Sequence, residues 1–283
     1  MTAAEKRAAE VRATRAPRPE GGRVPATPPP WEREQWVDGG PLRDAAEAAT
    51  GRAKSPAEIE PDPDATSRGR RTSRELAPEV AESLHHVAPS SRTARYQERL
   101  TSAADALDRG RYDDARRMVQ PVVRDLPDMA FGHELAGLAL YRMGQWRKAA
   151  AELETARRLD GTLSHHAVLA DCYRALRRYT EVDQLWLELR DGSPSPSLMA
   201  EGRIVAAGAL ADRGDLAGAL RVMEKAAELP KKVRDHHLRQ WYMLGDLYDR
   251  SGDVIAARRF FGLVAANDSS FADVADRLRG LGR

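Results

Sequence analysis

The stretch Trp241-x2-Leu244-Gly245-x2-Tyr248, followed by Gly252-Asp253-Val254, Ala257 and Phe261, decides the fold. Its apolar residues recur at three- and four-residue spacings on both sides of a glycine, which predicts two amphipathic helices joined by a tight turn. Glycine accommodates the left-handed backbone that ends the first helix. The same turn stands four more times upstream, as Gly110-Arg-Tyr112, Gly144-Gln-Trp146, Arg177-Arg-Tyr179 and Gly214-Asp-Leu216. Successive turns lie 34, 33, 37 and 38 residues apart. Three residues beyond each aromatic or aliphatic position come Ala115, Ala149, Val182, Ala219 and Ala257. Four further on come Val119, Leu153, Trp186, Met223 and Phe261. Such a period of helix–turn–helix units is the mark of an all-α protein, an α-solenoid of about five repeats. Arg177 stands where the other turns have glycine, and positive φ there costs about 1 kcal/mol. The third turn is therefore expected to be the least regular.

Beyond the last repeat, Ser270 to Leu281 reads as a capping helix, with Phe271, Val274 and Leu278 on one apolar stripe and Arg277 and Arg279 outside. A solenoid needs such a polar-faced end. Upstream of about Thr93 the texture changes. Twelve of the 17 prolines lie in residues 1–92, together with 15 acidic and 15 basic side chains. Proline removes donors and disfavours helix before it, and little apolar area offsets the chain entropy. Residues 1–88 are expected to be a disordered arm and residues 89–283 the repeat domain with its cap. Three islands in the arm have helical character: Ala3 to Ala13, Pro41 to Thr50 and Ser73 to His86.

The 283 residues carry 45 basic and 43 acidic side chains, so the chain is not a polybasic coat for nucleic acid. Only six of the cations are lysine, a bias read first as genomic base composition. A single cysteine, Cys172, excludes an intrachain disulfide framework and any multi-thiolate metal site. The longest apolar runs, such as Ile204 to Ala211, are less than half the ~18–20 residues of a membrane span. A cytoplasmic protein without a membrane segment is expected.

The repeats resemble the tetratricopeptide repeat family. The fifth is the sharpest match, through the residues quoted above. The second keeps Gly137, Gly144, Trp146, Ala149, Leu153 and Ala156; the first keeps Ala103, Gly110, Tyr112, Ala115 and Pro127. The third keeps Leu169, Ala170, Tyr173, Tyr179 and Pro194, with Arg177 and Val182 departing from the pattern. The fourth keeps Ala207, Gly214, Ala219 and Ala226. The likeness covers about residues 95–270. Small residues at the eighth and twentieth repeat positions let paired helices approach, and large ones fill the space to the next pair.

The resemblance implies a concave groove, lined by the first helices, that holds an extended peptide or a partner helix. By repeat position it shows Phe131, Glu134, Leu138, Tyr141, Arg142, Asp171, Arg174, Ile204, Arg239, Tyr242, Asp246 and Arg250. Apolar and aromatic anchors between charges of both signs suit a protein segment better than a phosphate backbone. The lysine–asparagine clamp of chaperone-binding members is missing, since Glu134, Ala167 and Ile204 occupy the candidate lysine positions.

Catalysis finds little support. Cys172 sits among packing residues Leu169, Ala170 and Tyr173 and reads as a buried structural thiol. Gly202 and Gly208 lie in a helical pattern without the lysine of a phosphate loop. Six of the seven histidines form adjacent pairs, His85-His86, His165-His166 and His236-His237. Neighbours on a helix point ~100° apart, so a pair cannot chelate one metal from one face. Each pair is expected to have one packed and one solvated ring. No metal and no cofactor is expected.

Two basic segments, Arg68 to Arg74 and Lys231 to Arg234, leave an alternative: an RNA- or ribosome-associated protein. Against it, the arm is neutral and lacks Phe and Tyr for base stacking. The arm's aromatics are Trp31 and Trp36, which read either as packing on the chain's own solenoid or as anchors of a docking motif for another protein. The first reading of function is a non-enzymatic scaffold that binds another protein.

Overall fold

The computed structural model describes residues 76–282. Trp31, Trp36, the 68–74 cluster and the islands at 3–13 and 41–50 lie outside the described residues. Within them the chain forms twelve α-helices and one 3-10 turn, with no strand. Helix α1 is Pro78–Val87. Five pairs follow: α2 (Thr93–Asp108) with α3 (Tyr112–Asp125), and α4 (Ala130–Arg142) with α5 (Trp146–Asp160). Next come α6 (His166–Ala175) with α7 (Tyr179–Gly192), and α8 (Pro196–Asp212) with α9 (Leu216–Met223). The last pair is α10 (Asp235–Ser251) with α11 (Val254–Asn267), and α12 (Val274–Leu281) ends the chain. From α4 on, each first helix packs on its own second helix, on the second helix before it, and on the neighbouring first helices.

The approach within a pair is set by small residues. A Cβ on Gly137 would lie 2.7 Å from Leu153 Cγ, and one on Gly245 would lie 2.8 Å from the Phe261 ring. Ala103, Ala170 and Ala207 hold the same position in the other pairs and are buried. On the facing helices Ala115, Ala149, Val182, Ala219 and Ala257 are all fully buried. This leaves three main core clusters in file, filled by residues such as Leu100, Leu153, Leu169, Trp241 and Phe261.

All five turns take the left-handed backbone, at Gly110, Gly144, Arg177, Gly214 and Gly252. Arg177 does so at φ 58°. The third turn is nevertheless as regular as the rest. Arg178 N donates to the Tyr173 carbonyl at 2.8 Å, as Arg111 N does to Ala106 and Gln145 N to Leu140. The expectation of an irregular turn fails because the flanks hold it: the Arg178 guanidinium lies 4.4 Å over the Tyr173 ring and bonds Glu181. The local φ penalty is absorbed without changing the hydrogen bonds.

Two boundaries move. Helix α1 falls inside the arm expected to run to residue 88, and Leu84 is buried with Leu100 and Met129 in the first core cluster. The capping helix starts at Val274, after Ala272 takes φ 48°, with Phe271 buried ahead of it. Arg277, expected outside, is half-buried against Asp246 and Asp249.

Two measurements check these points. Arg177→Gly removes the backbone penalty and is expected to stabilise the fold by about 0.5–1 kcal/mol, read as a higher urea midpoint. A chain starting at Leu76 is expected to keep the melting temperature of the whole, while one starting at Pro89 melts lower. Loss of the buried Leu84 contact removes about 2–5 kcal/mol, the range for emptying a core leucine site.

Candidate functional site

The face made by successive first helices carries all twelve expected groove residues. Its polar groups are bonded to one another across the repeats. Tyr141 Oη on α4 donates to Asp171 Oδ2 on α6 at 2.5 Å. Arg174 Nη1 returns to Asp171 at 3.1 Å, while its Nε donates to Asp212 on α8 at 2.7 Å. Gly208 makes room for that crossing, since a Cβ there would lie 3.1 Å from the Arg174 guanidinium carbon. Arg239 on α10 donates to Glu201 on α8 and to Asp235. Arg250 Nη2 reaches the Ala211 carbonyl at 3.2 Å. Finally Arg277 of the cap donates to Asp246, and Tyr242 donates to Asp273.

Each junction between first helices from α4 to α12 thus carries a charged or phenolic brace. Tyr141 and Tyr242 are buried, and burial pushes the Tyr242 phenol above its ordinary pKa. Tyr242 also packs edge-on to Phe261 at 5.3 Å. Pairs screened this far from water are worth more than the ~0.2–1 kcal/mol of exposed pairs, less the desolvation of each ion. Seven expected groove residues, Tyr141, Asp171, Arg174, Arg239, Tyr242, Asp246 and Arg250, take part in these inter-repeat bonds. The other five lie on the same first helices. Phe131, Leu138 and Ile204 are half-exposed, as is Glu134, and Arg142 and Arg250 are exposed. The sequence held one signal for the ladder: its partners stand 30, 38, 38 and 31 residues apart, close to the repeat period.

The histidines follow a different rule from the one expected. His165 and His166 are both buried, bonded to Asp160 and Glu188, each at 2.8 Å. His85 and His86 are both exposed. Only His236, buried, and His237, half-buried, divide in the expected way. In the third repeat both rings enter because each meets a carboxylate there. No group of His, Cys, Asp or Glu among the described residues is placed to hold a metal ion. Cys172 is fully buried, as expected.

No family model matches the chain, and no curated protein matches it. Among solved structures, the crystal structure of a thermophilic TPR protein of Thermus thermophilus is similar, at TM-score 0.53 and 17% identity. The match covers 66% of this chain and 98% of that one. The described residues therefore have the tetratricopeptide repeat fold. No helix among them is long and apolar enough to cross a membrane.

Two buried imidazoles give the fold opposite pH dependences. His133 Nδ1 lies 2.6 Å from Glu152 Oε2, and Nε2 lies 2.9 Å from the Pro127 carbonyl. Both partners are acceptors, so the protonated ring, with both nitrogens donating, is the form that satisfies both. The bond to Glu152 holds its pKa above the ordinary 6.5. His166 donates to Glu188 through Nε2 while Nδ1 is buried without a partner, and burial pushes its pKa below 6.5. The stability from His133 is complete below the unfolded value and lost as pH rises through its raised folded value. That from His166 is present above the unfolded value and lost as pH falls through 6.5 towards its lower folded value. Between about pH 5.5 and 8, the destabilisation caused by His133→Asn is expected to shrink and that of His166→Asn to grow. Melting temperatures of the two variants and the parent across that range check the opposed slopes.

Proposed function

We propose that the chain is a non-enzymatic scaffold of the cytoplasm that holds a segment of a partner protein on its first-helix face. The observation that carries this reading is the division of that face. Most of its charges are fixed by the inter-repeat ladder, while Phe131, Leu138 and Ile204 stand half-exposed on the same first helices. Half-exposed apolar side chains among fixed charges of both signs give a peptide anchoring area and a definite register. Glu134, which makes no hydrogen bond or ion pair among the described residues, and the exposed Arg142 and Arg250 add contacts at the rim. Tyr141, Arg174 and Tyr242 act chiefly by holding the face rigid, so that little ordering is left for the partner to impose.

The alternative contact, with RNA, would use Lys231 and Lys232, which are exposed in the connection before α10. The two readings separate on a partner recovered by affinity capture with the full chain. Phe131→Ala, Leu138→Ala and Ile204→Ala together are expected to weaken binding by tenfold or more with the helical signal retained. Lys231→Ala with Lys232→Ala is expected to leave it within twofold. The reverse result, with affinity falling steeply in salt, would give the site to a nucleic acid.

A further inference from the structure

A cleft of about 650 Å³ opens between the third and fourth repeats, lined from α7, α8 and α9 and by none of the twelve expected groove residues. It lies beside α9, which has eight residues where the other second helices have fourteen or fifteen. Trp186, Met199, Leu210 and Val222 form its apolar wall. Arg190, Arg203, Arg221 and Lys225 line it against only two acids, Asp215 and Glu224. Asp215 is already engaged, capping α9 through Gly218 N at 2.7 Å. Arg203 is half-buried and makes no ion pair or hydrogen bond among the described residues, and burial alone lowers its pKa.

The register explains the unpaired cation. Arg203 stands eleven residues before its left-handed turn, as do His133 and His166 before theirs. In the second repeat the basic group at that place meets Glu152, eight residues after the turn. In the third it meets Glu188, eleven residues after the turn. The fourth repeat has Val222 and Lys225 at those two places. The second and third repeats therefore supply this site with a carboxylate from their own second helix, and the fourth supplies an apolar side chain and another cation.

We propose that this cleft is a binding site for an acidic segment of another protein, in which a Glu or Asp carboxylate pairs with Arg203 and flanking apolar side chains meet Trp186 and Leu210. The incoming carboxylate takes the place that Glu152 and Glu188 fill internally. The half-buried guanidinium has already lost part of its hydration, so pairing costs it less new desolvation than it would a fully exposed cation. Arg190, Arg221 and Lys225 draw the acidic segment to the cleft. The apolar wall distinguishes such a peptide from a bare anion. The site does not depend on the first-helix face.

The test uses the full chain, reading the indole signal of Trp186 by NMR, assigned with Trp186→Phe. Titration with acetyl-Leu-Glu-Leu-Glu-amide to millimolar concentration is expected to give a saturable shift. The Gln isostere acetyl-Leu-Gln-Leu-Gln-amide and the Arg203→Gln chain are each expected to bind at least tenfold more weakly. Val222→Glu restores a carboxylate at the register of Glu152, so it is expected to abolish the titration and to raise the melting temperature. That variant keeps the test decisive should Arg203→Gln fold poorly. Equal binding of the Gln peptide, an unaffected Arg203→Gln chain, or no titration at all would overturn the proposal. An identical shift with inorganic phosphate would also overturn it, reducing the site to an ion hole. A titration that appears only after Glu58 and Glu60 are changed to Gln and Asp62 and Asp64 to Asn would overturn the assignment to another protein. The occupant would then be the chain's own acidic run.

Discussion

Everything in the described fold depends on how closely the two helices of a pair can approach. At Gly137 and Gly245 the facing side chains, Leu153 and Phe261, occupy the volume that a Cβ would need. Dispersion and burial at such a contact reward close packing and punish a single added methyl. Once the pair is fixed at that distance, the second helix can present a row of large residues to the next pair. The core is then assembled by repetition. The third pair shows how far the rule stretches. Val182 replaces the alanine of the other second helices and is still fully buried, with Ala170 buried on the facing helix.

The turns and the core rows are legible because each obeys one local rule, a left-handed residue at a fixed interval and an apolar face at helical spacing. Even Arg177 keeps its place in the phase, and the structure gives it the positive φ of the glycines. What escapes is long-range. A tyrosine, an aspartate and an arginine on one helix face look like solvated groove residues until the next repeat is set beside them. Tyr141 meets Asp171 and Arg174 meets Asp212 only after packing brings α4, α6 and α8 together. For the same reason Arg277 reads as an outer residue in the sequence, although the acids of α10 draw it in. Helix α1 falls in the Ser73 to His86 island that reads as helical, but its place in the core is not legible, because one buried leucine, Leu84, makes no visible apolar face.

The place eleven residues before each turn shows how repeats diverge within one architecture. Trp241 fills it with an aromatic that donates to the Ala226 carbonyl at 3.1 Å. His133 and His166 fill it with smaller rings that must bring a carboxylate with them. Each solution satisfies its polar atoms from within the chain, with the exception of His166 Nδ1. Arg203 is a third solution that does not close on itself. A guanidinium cannot shed its charge at any physiological pH, so burial there leaves a standing demand for an anion. Arg99 holds the same place in the first repeat, also half-buried, but among the cleft's lining it is Arg203 that sets this demand beside an apolar wall.

The ladder also constrains what the first-helix face can hold. A partner that paired with Asp171 or Arg239 directly would have to displace bonds already made, and its gain would be the difference between two similar interactions. Contacts to Phe131, Leu138 and Ile204 carry no such exchange, because water is all that leaves them. If that face holds a partner, as proposed, its affinity would therefore come from apolar burial. The fixed charges would then discriminate among segments by repelling those with the wrong sign at each rung. On the proposed reading, the same bonds that stiffen the solenoid from α4 to α12 would also set its selectivity.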